Sequence, residues 1–138
     1  MTIEEFEREV MTALLAGDDP LLDSLRAQYA AATVREREMT GTGFITRFEV
    51  PTTTAAVPRK LMHLDDLQVQ LEGTTTPADT SLHVYNGRLK SLEVFVYDDQ
   101  WPESPKIAGA WYYGTEKFPG ITPALLEARD LDILEEDE

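Results

Sequence analysis

Asp98, Asp99 and Glu103 stand close together in the stretch "YDDQWPE" (97–103), and neighbouring carboxylates can do general acid–base work or bind calcium. Their spacing suits neither task. There is no alternating D-x-D-x-D-G loop and no second acid cluster nearby in the chain. The two histidines, His63 and His83, are 20 residues apart and belong to no H-x-x-x-H or H-E-x-x-H pattern, so a metal site would need ligands assembled by the fold. Ser24, Ser81, Ser91 and Ser104 could supply a nucleophile, but none sits in a G-x-S-x-G elbow. Gly41 and Gly43 are followed by no Lys-Ser or Lys-Thr and lead into a strand, so they read as a turn rather than a phosphate loop. With no cysteine there is no thiolate chemistry and no disulfide. No catalytic residue, metal ligand or cofactor is therefore expected, which leaves binding as the chemistry to consider.

Charge narrows the choice of partner. The 138 residues carry a net charge of −14, and sequence-independent binding to nucleic acid draws its energy from Lys and Arg displacing counterions. Nucleic acid is thus an improbable ligand. Residues 1–23 hold seven acids against Arg8, residues 127–138 hold seven against Arg129, and the middle keeps 12 acids against 10 bases. Two acidic ends would form one negative face if the fold joined them, and such a face would steer a basic protein partner. Otherwise they are solvated surface that keeps the chain soluble. No apolar run approaches the roughly 20 residues that span a bilayer. The start, "MTIEEFEREV", has acids where a secretory signal needs bases followed by an apolar run, so a cytoplasmic location with no membrane partner is expected.

The elements that must position any site follow from periodicity. Thr2 and Glu5 have capping-box spacing, and Ile3, Phe6, Val10, Ala13 and Leu14 recur on one helical face over about residues 3–16. Gly17 offers a stop, and Asp19 with Pro20 restarts a helix lined by Leu22, Leu25, Tyr29 and Ala32. A link of two or three residues would make the pair an antiparallel helical hairpin. From residue 34 the period falls towards 2, with strands expected at Phe44–Val50, Leu67–Leu71 and Ile107–Tyr113. "VREREM" (34–39) reads as a charged edge strand or as a continuation of the second helix. The Pro- and Thr-rich stretches 51–60 and 73–80 read as loops. Thr122 and Pro123 can open a last helix, and "LDILEEDE" ends the chain as helix or as a disordered acidic tail over about 130–138.

Asn86-Gly87 between apolar runs signals a two-residue hairpin turn. Simple pairing opposes Tyr85 to Arg88, Val84 to Leu89, His83 to Lys90 and Leu82 to Ser91. Strict alternation then puts Glu93, Phe95 and Tyr97 on the face of Leu82, Val84 and Leu89, and Leu92, Val94 and Val96 on the other. Two arrangements reconcile this conflict. A β-bulge near Lys90 and Ser91 would turn Leu92, Val94 and Val96 to the core and expose Glu93, Phe95 and Tyr97. Alternatively, the strand is covered on both faces, and Glu93 then needs a partner. The first arrangement leaves Phe95 and Tyr97 beside Asp98, Asp99 and Trp101, with Glu103 at the rim, as a protein-binding patch.

"MTGTGFITRF" with "EVP" after it, and "NGRLKSLEVFVYDDQWP", resemble segments of a group of small acidic bacterial proteins of uncharacterised function. Similar small acidic proteins are encoded near secreted toxins and are thought to act as immunity proteins. With the N-terminal helices the resemblance covers most of residues 1–102, and it carries over no catalytic residue. The expectation is a single α+β domain, a helical hairpin packed on a mostly antiparallel sheet of about five or six strands. It would be a non-enzymatic binder of a basic partner such as a toxin. The alternative is a small-molecule binder or enzyme with a pocket between hairpin and sheet, marked by His63, His83 or Glu93 in an enclosed cavity.

Overall fold

A computed structural model describes residues 1–97 and 99–135, so Asp98 and the end of the acidic tail, residues 136–138, lie outside the described residues. Helix α1 spans Ile3–Leu14 and is opened by a complete capping box between Thr2 and Glu5. Helix α2 spans Pro20–Ala31, with the Asp19 side chain accepting from the Leu21 N–H. The connection is longer than expected because α1 stops at Leu14. Side chains from elsewhere take its last carbonyls: Arg129 donates to the Ala13, Leu14 and Ala16 oxygens, and Arg26 donates to those of Leu15 and Gly17. Satisfied in this way, the carbonyls have no need of further helix.

Seven strands follow: β1 Thr33–Met39, β2 Gly43–Glu49, β3 Leu61–Leu64, β4 Leu67–Leu71, β5 Ala78–Tyr85, β6 Arg88–Phe95 and β7 Ile107–Tyr112. They form one sheet in the order β1-β2-β6-β5-β4-β7, with every pairing antiparallel and β3 also paired to β5. Because β6 runs along one edge of β5 from Asp79 to Tyr85, β3 and β4 share the other edge as one strand interrupted at Asp65 and Asp66. Periodicity assigns no strand to β3, because a run of only four residues follows the Pro- and Thr-rich stretch 51–60. "VREREM" is the edge strand of the two readings, and its outward charges oppose pairing with another sheet. Helix α3 (Pro123–Glu127) and a 3₁₀ turn at Leu131–Glu135 complete the described chain.

The sheet has one dry face. Phe44, Thr46, Leu67, Val69, Leu82, Val84, Leu92 and Val94 are buried together with Phe6, Val10 and Leu14 of α1 and Leu22 and Leu25 of α2. On β2, β4, β5 and β6 the alternate positions are half-buried or exposed, apart from Gly43. That architecture is α+β: two N-terminal helices, then a mostly antiparallel sheet. No helix among the described residues is long and apolar enough to cross a membrane.

Candidate functional site

The hairpin holds the decisive local feature. Tyr85 pairs with Arg88 and Val84 with Leu89, but His83 then pairs with Ser91 and Leu82 with Leu92, leaving Lys90 as an extra residue. Simple pairing beyond Leu89 is therefore corrected by a bulge at Lys90. Leu92, Val94 and Val96 go to the core, and Glu93, Phe95 and Tyr97 point away from it. Gln28 of α2 secures the turn. Its amide donates to the Ala55 and Gly87 carbonyls, and its oxygen accepts from the Leu89 N–H at 2.9 Å. A polar residue three positions beyond Leu25 on the buried helical face was the available sign of this bond, but its partners lie about 60 residues away in the chain.

Past the bulge, the register sets Phe95, Asp79, Gln68 and Trp111 side by side across β6, β5, β4 and β7 on the solvated face. Asp79 is the hub of this row. Its Oδ2 accepts from the Tyr97 hydroxyl at 2.8 Å, and its Oδ1 accepts from the Gln68 amide at 2.5 Å and the Tyr113 hydroxyl at 3.4 Å. The Tyr97 ring meets Phe95 edge to face, with centroids 5.2 Å apart. Both hydroxyls titrate above the ordinary tyrosine range. For Tyr97 the hydrogen bond to Asp79 and its charge are the causes, and for Tyr113 burial leads, followed by the charge of Asp79. They stay protonated at neutral pH and keep donating to the carboxylate.

Next on the same face, Ser81 stands opposite Glu93, and His83 lies between Ser91 and His63. The two imidazoles meet edge to face at 4.7 Å, and Ser81 Oγ is 3.2 Å from His83 Nε2. Burial, then the neighbouring His63, lowers the His83 pKa, while Glu93 and Asp65 pull the other way. Where the strand breaks between β3 and β4, a cavity of about 350 Å³ opens, lined by residues including His63, Asp65, Asp66, Tyr113, Asp130 and Ile133. Its floor is structural. Asp66 pairs in two-pronged fashion with the buried Arg129 at 2.8 and 3.0 Å, and that guanidinium also covers the Tyr112 ring. Among the described residues no group of three or more His, Asp or Glu side chains is placed to hold a metal ion.

The residues singled out from sequence part company. Phe95 and Tyr97 lie on the solvated face. Trp101 does not stand beside them on that face, where the expected patch included it. Its ring packs on Phe6 and Phe44 with centroids 5.3 and 5.5 Å away, on the helix side of the sheet. Beyond β6 the chain returns to the start of β2, with the Trp101 backbone N–H donating to the Gly41 carbonyl. Asp99 holds a loop: its Oδ2 accepts from the N–H and hydroxyl of Thr75 at 3.0 and 2.9 Å, and these bonds lower its pKa. Glu103 is exposed, and Asp98 lies outside the described residues. Asp79, Gln68, Trp111 and Tyr113 were not singled out. The alternation of Asp79, Ser81 and His83 along β5 marks a wet face, but nothing local tells that β6 and β7 bring aromatics to Asp79 and that β4 brings Gln68. Comparison with protein-family models, with curated proteins and with solved structures finds no match for this chain.

Proposed function

We propose that this protein is a non-catalytic binding domain whose solvated sheet face receives a basic protein partner, and that the partner is a bacterial toxin it neutralises. The observation that carries the first part is the bulge at Lys90, which turns Phe95 and Tyr97 outward beside Asp79, Trp111 and Tyr113. Aromatic side chains held rigid by neighbours supply contact area at little entropic cost, and an acidic centre selects a basic complement. The resemblance to small acidic proteins encoded near toxins supports the second part. Trp101 then acts from beneath as packing, Asp99 as a loop clamp, and Glu103 at the rim.

A capture experiment with the immobilised full chain from the native host tests this reading. Wild type should retain a basic protein that the Phe95→Ser/Tyr97→Ser double variant releases, with both variants equally folded by circular dichroism. Equal affinity of the two for the captured protein sinks the assignment of this face. The Asp98→Asn/Asp99→Asn variant should also weaken binding, and full affinity would remove those acids from the interface. A second reading rests on the cavity beside His63. It lies at the strand break rather than between helices and sheet, and it suits a small polar ligand.

A further inference from the structure

We infer that Asp79, Tyr97 and Tyr113 form a seat for one lysine side chain of that partner. The inference rests on the proposed binding face and goes further by naming the group that anchors there. Among the described residues Asp79 takes part in no ion pair, and all three of its hydrogen-bond donors are neutral. A half-buried carboxylate arranged in this way keeps its full charge available to an incoming cation.

The donor and acceptor inventory selects the cation. Asp79 Oδ1 already accepts twice, from Gln68 and Tyr113, whereas Oδ2 accepts only from Tyr97 and retains capacity for one more donor. A guanidinium fork needs both carboxylate oxygens free and would have to displace a bond. An ammonium group is a point charge with three donors and does not. Each tyrosine gives its single proton to Asp79, so its hydroxyl oxygen is left with acceptor capacity only. One carboxylate oxygen and two phenolic oxygens thus offer three acceptors to three N–H groups. Phe95, edge to face with Tyr97, and Trp111, two residues before Tyr113, border the seat with apolar surface for a lysine stem. Trp111 already carries Lys117 Nζ 5.7 Å from its ring centre, an intramolecular instance of the same pairing of amine and aromatic.

The test titrates the ¹⁵N-labelled full chain with Nα-acetyl-lysine methylamide and follows backbone amide shifts. Saturable shifts should centre on residues 79, 97 and 113. The Nε-acetylated probe, which lacks the charge, and the arginine analogue should each bind at least tenfold more weakly, and Asp79→Asn should weaken the lysine probe by at least tenfold. Tyr97→Phe and Tyr113→Phe, which delete one acceptor each, should give intermediate losses in a protein with unchanged far-UV circular dichroism. Shifts centred elsewhere, or equal binding of the acetylated probe, overturn the seat. Putrescine binding more than tenfold tighter than the lysine probe overturns the protein source in favour of a free diamine. Should the lysine probe fail while the captured partner still depends on Phe95 and Tyr97, this inference falls and the proposed function stands.

Discussion

Arg129 combines three roles within one guanidinium. It closes the C-terminal carbonyls of α1, neutralises Asp66 and covers the Tyr112 ring, and it is almost fully buried. Removing one member of a buried pair leaves the other charge without compensation, so Arg129→Met should lower stability by about 3–5 kcal/mol, read from the urea midpoint. Tyr112 adds a pH signature. Burial pushes its hydroxyl up to about 12 from an ordinary 10.0, and that hydroxyl donates to the Ala13 carbonyl at 2.7 Å. Between these two values the native chain holds a proton that the unfolded chain has lost. The associated stability is complete below pH 10 and declines as pH rises towards 12, by on the order of 2 kcal/mol. Tyr112→Phe should flatten that decline in urea titrations carried out across this range, at a cost of about 1 kcal/mol at neutral pH.

At the scale of elements, the β5–β6 hairpin depends on contacts that no residue within it supplies. Gln28 stands between α2 and the turn, so Gln28→Leu should destabilise the fold by roughly 2–4 kcal/mol by stranding the Leu89 N–H and the Ala55 carbonyl. Gly41, just before β2, and Gly43, its first residue, make a sharper comparison. Gly41 has φ +91° with open space around it, and an alanine there costs about 1–2 kcal/mol for the left-handed backbone alone. At Gly43 an added Cβ would lie 1.8 Å from the Val94 carbonyl oxygen of the paired strand. Neither backbone can yield without losing ladder bonds, so Gly43→Ala should cost roughly 3 kcal/mol or more. Denaturant midpoints of the two variants order these costs, and the reverse order would contradict the tight β2–β6 pairing.

For the whole molecule, charge is the property that the fold rearranges. Arg129 reaches the end of α1, and a Cβ on Gly17 would meet Leu131, so the C-terminal segment lies against the α1–α2 connection. Asp18 thereby borders the same groove as Glu127, and part of the N-terminal acidic charge stands near part of the C-terminal charge. Glu7 is the exception, buried against Arg37 at 3.0 Å and Thr46. With a net charge of −14, self-repulsion outweighs the few exposed ion pairs, so the thermal midpoint should rise as salt increases from about 10 to 150 mM. Association with the proposed basic partner should slow over the same range, because screening shortens the reach of the steering field. An association rate unaffected by salt would remove steering from the mechanism.

Local rules made much of this fold legible. The capping box at Thr2 and Glu5, Pro20 after Asp19, the Asn86-Gly87 turn and the change of period at residue 34 act over a few residues, and each element they imply is present. β3 escaped because its four residues are too few to establish a period beside a Pro- and Thr-rich loop. The conflict of faces after Leu89 was also visible in the residues, but alternation alone allowed two resolutions. Only packing against α1 and α2 decided for the bulge, since burying Leu92, Val94 and Val96 outweighs one unpaired residue at Lys90. Packing likewise drew Trp101 onto Phe6 and Phe44, away from Phe95 and Tyr97, beside which it was expected. Asp79, Gln68, Tyr97 and Tyr113 meet only because four strands adopt one register. Register is a property of the whole sheet: a slip of one residue would send each of these side chains to the opposite face.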